Sequence, residues 1–191
     1  MKKVISMILA LTMAFAMTAC GGNAAQETTG VPAQEAPASA LEVLETIWAD
    51  YAEDEKFAVI GGSMAAPVDG APGSYDITDE NITYNLLIPA DQLANITEAA
   101  SMIHMMNANT FTGAVYKLAG GVAAADFAAA MQTAIQGNQW MCGFPDQLLI
   151  SAFGDTYVLV AFGVNDAMGP FTGHFEAVYP GFETLVSEPI A

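Results

Sequence analysis

The chain has 191 residues, 53% of them hydrophobic, and sets 21 acidic side chains against four lysines and no arginine, for a net charge of -17. That balance repels a polyanion, so no nucleic-acid partner is expected, and without arginine no planar fork can grip phosphate through two parallel hydrogen bonds. With only 13% charged residues the chain is also too apolar to be wholly disordered, and one folded domain is expected.

The N-terminus reads Met1-Lys2-Lys3, then an uncharged apolar run from Val4 to Met17, then Thr18-Ala19-Cys20-Gly21-Gly22. A basic start followed by a short apolar helix and small residues is an export signal, and the run is too short to span a bilayer comfortably. The segment Met17-Thr18-Ala19-Cys20 resembles the lipobox of bacterial lipoproteins, in which the cysteine is diacylated and cleavage makes it the first residue. Met17 stands where leucine is usual. Residues 1–19 are then a signal peptide, Cys20 is the lipidated residue, and the protein sits on the extracytoplasmic face of the cell membrane. Removing Lys2 and Lys3 with no acid leaves two lysines against 21 acids, and 2 − 21 gives -19. Anionic head groups repel such a surface, so the acyl chains are the expected membrane attachment.

From Gly21 to about Ala38 the sequence is Gly, Ala, Gln, Thr, Pro and Glu, too polar to offset its ordering entropy, so residues 20–39 are expected to form the acylated cysteine and a flexible stalk. Residues 40–191 remain for a single α+β domain. At about 150 residues such a domain buries roughly 68–70% of its unfolded surface and needs no disulfide. Ser39 and Glu42 predict a capping box, and Leu41, Leu44, Ile47, Trp48 and Tyr51 predict a helix to about Glu53. A strand is expected over 57–60, a glycine- and proline-rich loop over 61–74, a strand over 82–88, and a second helix from Pro89 to about Asn107. Beyond it come a strand over 111–118, an alanine-rich helix over 123–136, strands over 148–153 and 157–162, a helix from Asp166 or Gly169-Pro170 to Tyr179, and a strand over 184–187. That βαββαβ order predicts a ferredoxin-like unit, an antiparallel sheet with helices packed on one face, preceded by a helix, two strands and a helix.

Residues with chemistry are few. His104 and His174 are the only histidines, and no serine or cysteine stands in a Gly-x-Ser-x-Gly context, so no catalytic residue is designated. Trp140-Met141-Cys142-Gly143-Phe144-Pro145 is similar to the Trp-Cys-Gly-x-Cys site of thioredoxins, but Met141 intervenes and no second cysteine follows. This aromatic loop either folds its rings back on the core or exposes them to a ligand. Met102, Met105 and Met106, with His104 beside them, contain the soft donors that suit Cu(I), yet on a helix the methionines would point away from His104. No metal or cofactor is therefore expected. The acids of 50–55 and 76–80 lack the spacing of a calcium loop.

Together the lipobox, polar stalk, alanine-rich helix, aromatic loop and Gly154-Asp155-Thr156-Tyr157-Val158 hairpin resemble small uncharacterised lipoproteins of Clostridia-type bacteria, some labelled bacteriocin transport accessory proteins. The resemblance implies little mechanism. The expectation is a non-enzymatic accessory protein that binds a peptide or membrane-protein partner, with Trp140, Cys142, Phe144, Met102, Met105 and Met106 as the binding surface. Two alternatives stay open: a thiol- or histidine-dependent enzyme or redox helper using Cys142, and a cation or small-solute binder.

Overall fold

The computed structural model describes residues 36–190, so the expected signal peptide, Cys20 and the expected stalk as far as residue 35 lie outside the described residues. Strands β1 (Val59–Gly61), β2 (Val68–Asp69), β3 (Gly73–Tyr75), β4 (Ile96–His104), β5 (Phe111–Leu118), β6 (Gln147–Phe153), β7 (Tyr157–Gly163) and β8 (Glu183–Pro189) make one antiparallel sheet. Its order is β2-β1-β4-β5-β7-β6-β8, and β3 also pairs with β4. Helices α1 (Ala40–Asp50), α2 (Ile82–Asn85), α3 (Ala124–Gln136) and α4 (Asn165–Val178) complete an α+β domain.

Alternation along the central strands decides where the helices go. On β7, Val158, Val160 and Phe162 join a buried cluster with Phe127, Met131 and Ile135 of α3. Tyr157, Leu159 and Ala161 project the other way, into a cluster with Leu44 and Ile47 of α1 and Phe171 and Phe175 of α4. Helices therefore cover both faces of the sheet, which corrects the expectation of a single helical face. The strand order supplies the reason. From β5 to β6 and from β7 to β8 the chain steps two strands in the same direction across the sheet, but β5 and β7 run in opposite senses. Crossovers of one hand then place α3 and α4 on opposite faces.

Two expected elements change type. Residues 89–107 were expected to be helical, but Ala90–Asn95 is a short 3-10 helix and Ile96–His104 is strand β4, flanked by β5 on one side and by β1 and β3 on the other. Ala, Glu and Met favour helix intrinsically, yet an open edge beside the strongly strand-forming β5 outweighs that weak preference. A bulge between Ile96 and Glu98 puts Ile96 and Ala99 in one cluster while Ala100 and Met102 face the other. The expected strand over 82–88 opens as α2 instead. Strand alternation would have buried Tyr84, which is 83% exposed; the helical i, i+4 spacing turns Ile82 and Leu86 inward together.

Three helices draw their N-terminal capping groups from distant acids. Ser39 caps α1 as expected, its Oγ accepting from Glu42 N, while the Glu42 carboxylate reaches Ala38 N rather than Ser39 N. Glu98 of β4 also accepts from Ala40 N at 3.2 Å. Asp155, in the β6–β7 turn, accepts from Ala124 N at 3.0 Å, and Asp146 from Asn165 N at 2.9 Å. Each fills a position where Ala123 or Val164 has no capping side chain of its own.

Asp155→Ala should therefore cost about 1 kcal/mol in urea unfolding, as for other lost caps. Phe127→Ala and Phe171→Ala should each cost about 3–5 kcal/mol, since each ring is fully buried on its own face. A single helical face would leave one of those two changes nearly silent.

Candidate functional site

The β4–β5 end of the sheet gathers the exposed apolar side chains. Phe111 opens β5 opposite Gly163, the last residue of β7, and Gly163 also faces Gln147, the first of β6. Ala58 accepts from Met105 N, Thr110 from Val164 N, and Gly163 from Asp146 N, so the segments around 58, 105–110, 146 and 164 share one end. The loop over 137–146 feeds directly into that end. Among the described residues seven large apolar side chains are exposed, and four of them sit here: Met105 at 55%, Met106 at 57%, Met141 at 87% and Phe144 at 66%.

The sequence-designated residues divide accordingly. Met105, Met106 and Phe144 are on the surface, and so is the free thiol of Cys142. Met102 is not. It is fully buried in the cluster that contains α1, because Ala100 and Met102 of β4 face that side of the sheet. Trp140 is half-buried, and its ring packs on Phe162 with centroids 5.6 Å apart. The aromatic loop therefore does both things open to it. Trp140 folds back as an anchor, while Phe144, four residues on, stays out.

His104 shapes the methionine turn. Its Nδ1 accepts from Met106 N at 2.9 Å, which makes the Nε2-protonated tautomer the neutral form, and its ring stacks on Phe57 at 5.2 Å and 6°. Burial lowers its pKa below the ordinary imidazole value. His174, on α4, is held elsewhere. Its Nδ1 lies 2.8 Å from Asp50, its Nε2 lies 3.8 Å from Glu55, and Tyr51 stacks on it at 3.9 Å. Burial first, and then the Glu55 carboxylate, raise the Tyr51 pKa well above the usual phenol range. No sequence signal could have joined His174 to Asp50, 124 residues apart.

Among the described residues no group of three or more His, Cys, Asp or Glu is placed to hold a metal ion. Two open depressions of about 290 and 310 Å³ fall at the small end for ligand pockets. The first lies between α4 and β6, beside Gln147, Asn165, Met168 and Ser187; the second lies beside Ser39, Ile77 and Glu98. Neither is lined by a sequence-designated residue. No helix among the described residues is long and apolar enough to cross a membrane. No protein-family model, curated protein or solved structure matches the chain.

Because folding favours neutral His104, the unfolded chain binds the extra proton first, and stability should be fully present above the ordinary value of about 6.5 and decline as pH falls through it. Protonation of Nδ1 also removes the acceptor for Met106 N. Between pH 7 and pH 5 the Tm of the wild type should fall relative to that of His104→Gln in thermal scans. An NMR titration placing the His104 midpoint above 6.5 would contradict this.

Proposed function

We propose that the protein is a lipid-anchored extracytoplasmic lipoprotein, acylated at Cys20, whose folded domain binds a peptide or membrane-protein partner without catalysis. The exposed apolar end carrying Met105, Met106, Met141 and Phe144 is the observation that supports the binding reading most directly. Exposed large apolar side chains clustered at one end of a domain are a common mark of an interaction surface. Methionine suits such a role because its unbranched thioether adapts to different shapes.

The position of the tether supports the same reading. Residues 36–39 lead into α1 beside Glu98, near the start of β4, whereas Met105 follows its end. At about 3.4 Å per residue, the seven residues from Glu98 to Met105 separate the two by roughly 24 Å. An anchor at Cys20 would thus leave the apolar end accessible to a partner. Within the domain, β5-α3-β6-β7-α4-β8 is best read as a variant of the ferredoxin-like unit in which β8 is added beyond β6.

The non-enzymatic reading is supported by His104, whose Nδ1 is taken up by Met106 N and whose ring stacks on Phe57. A thiol-dependent helper remains the second reading, favoured by the exposure of Cys142 within the apolar end.

Cys20→Ala should abolish incorporation of labelled palmitate and release the protein from the membrane fraction. Photo-crosslinkers at Met106 and Phe144 should capture a partner in cells that one at Thr184, on β8, does not. Crosslinks equally abundant from all three positions would contradict the binding surface. Cys142→Ser should leave capture intact; its loss would favour the thiol reading.

A further inference from the structure

The apolar end also has a charge pattern that specifies its occupant. Asp50, Glu53, Asp54 and Glu55 lie at the close of α1 and in the segment leading to Phe57, whose ring stacks on His104. Asp146 and Asp166 lie on the other flank, at the starts of β6 and α4. All six carboxylates are exposed. The one lysine in this region, Lys56, is spoken for: its Nζ is 2.7 Å from Glu53 and 5.8 Å from the Trp48 ring centroid.

Distance completes the pattern. Met105 and Met106 extend from β4, and Met141 and Phe144 belong to the loop entering β6, three places along the sheet. Three strand spacings of about 4.8 Å put the ends of β4 and β6 roughly 14 Å apart. Between two and three turns of α-helix, at 5.4 Å per turn, cover that span. An apolar stripe at i, i+3, i+4, i+7 and i+11, about 16 Å long at 1.5 Å per residue, therefore reaches both strand ends from one helix face.

We infer that this end docks a basic amphipathic helix of a partner protein, its apolar stripe on Met105, Met106, Met141 and Phe144 and its lysines or arginines against the flanking carboxylates. The inference rests on the partner-binding reading above and adds the chemistry of the partner. A second copy of the chain, or an anionic lipid surface, brings negative charge against six carboxylates and is disfavoured for that reason. A basic helix is drawn in by the same field, with an attraction that weakens as salt shortens its range to about 8 Å at physiological ionic strength.

The test uses the full lipid-anchored protein in nanodiscs of zwitterionic lipid, with empty nanodiscs subtracted. Three 14-residue peptides serve as probes: a Leu/Lys helix with the i, i+3, i+4, i+7, i+11 stripe, the same stripe with Glu for Lys, and a Leu/Lys shuffle with no stripe. The striped Leu/Lys peptide should bind at least tenfold more tightly than either other. Met106→Ser with Phe144→Ser should weaken it at least tenfold, and Glu53→Gln, Asp54→Asn and Glu55→Gln together should weaken it severalfold and flatten its salt dependence. All five positions are exposed, so the variants should keep their Tm; Phe144→Ser alone serves if a combined variant does not fold. Equal binding of the Glu peptide, or indifference to the apolar substitutions, would overturn the inference. So would self-association that Phe144→Ser abolishes, since the face would then belong to a second copy. Capture of a partner from Phe144 in cells, with no binding of the Leu/Lys peptide, would overturn the basic-helix inference and leave the partner-binding reading standing. Failure of both overturns both.

Discussion

From residue 20 onward the chain has two ammonium groups to set against 21 carboxylates, and both are engaged, Lys56 with Glu53 and Lys117 with Glu98. A fold with so few side-chain cations turns to the positive ends of its helices. Glu98, Asp155 and Asp146 each accept from the first backbone N–H of α1, α3 or α4, where the unpaired N–H groups and the helix dipole favour negative charge. These contacts also fix geometry. A carboxylate on the sheet, or on a turn leaving it, pins the start of each helix, so the acids determine where the two helical layers begin. Glu98 joins both kinds of partner: burial alone would raise its pKa, but Lys117 and the Ala40 N–H outweigh that and hold it below the ordinary value.

The two-sided cover of the sheet itself follows from the strand order, and the pins mark where each layer starts. β7 is buried along its whole length, which is possible only if alternate side chains meet a helix on each side. α3 lies on one side and α1 with α4 on the other. In turn β4 must be narrow. Its Ala99, Ala100 and Ser101 are buried and small, which lets layers approach from both faces, and that composition is what gave the segment its helical look in the sequence.

The C-terminal half was readable because its apolar patterns were clean. Phe111 to Leu118 and Tyr157 to Gly163 are short apolar runs rich in β-branched and aromatic residues, and α3 has a continuous apolar stripe ending at Gly137. The layer arrangement was not readable, because single-face and two-face packings share the βαββαβ order and differ only in the edge at which β8 joins. At the candidate site, Phe144 and the Met105–Met106 pair were found from composition alone. Met102 was misplaced along with its element: a helix would have put it on the same outward side as Met105 and Met106, whereas β4 turns it into the core. The engagement of His174 with Asp50 depends on α1 and α4 lying side by side, a tertiary fact with no local trace.

One consequence links the acidic excess to the apolar end. Four exposed large apolar side chains at one end of a small domain would ordinarily invite self-association. Here any two copies meeting at those ends would also bring their carboxylates together, in a chain whose net charge is -17. Like-charge repulsion of that kind keeps proteins apart without altering the short-range packing that a complementary partner would find. On the proposed reading, the acids that cap helices inside the fold have counterparts outside it that would keep the apolar end open to a partner, which would make the near absence of lysine and the exposure of methionine parts of one arrangement.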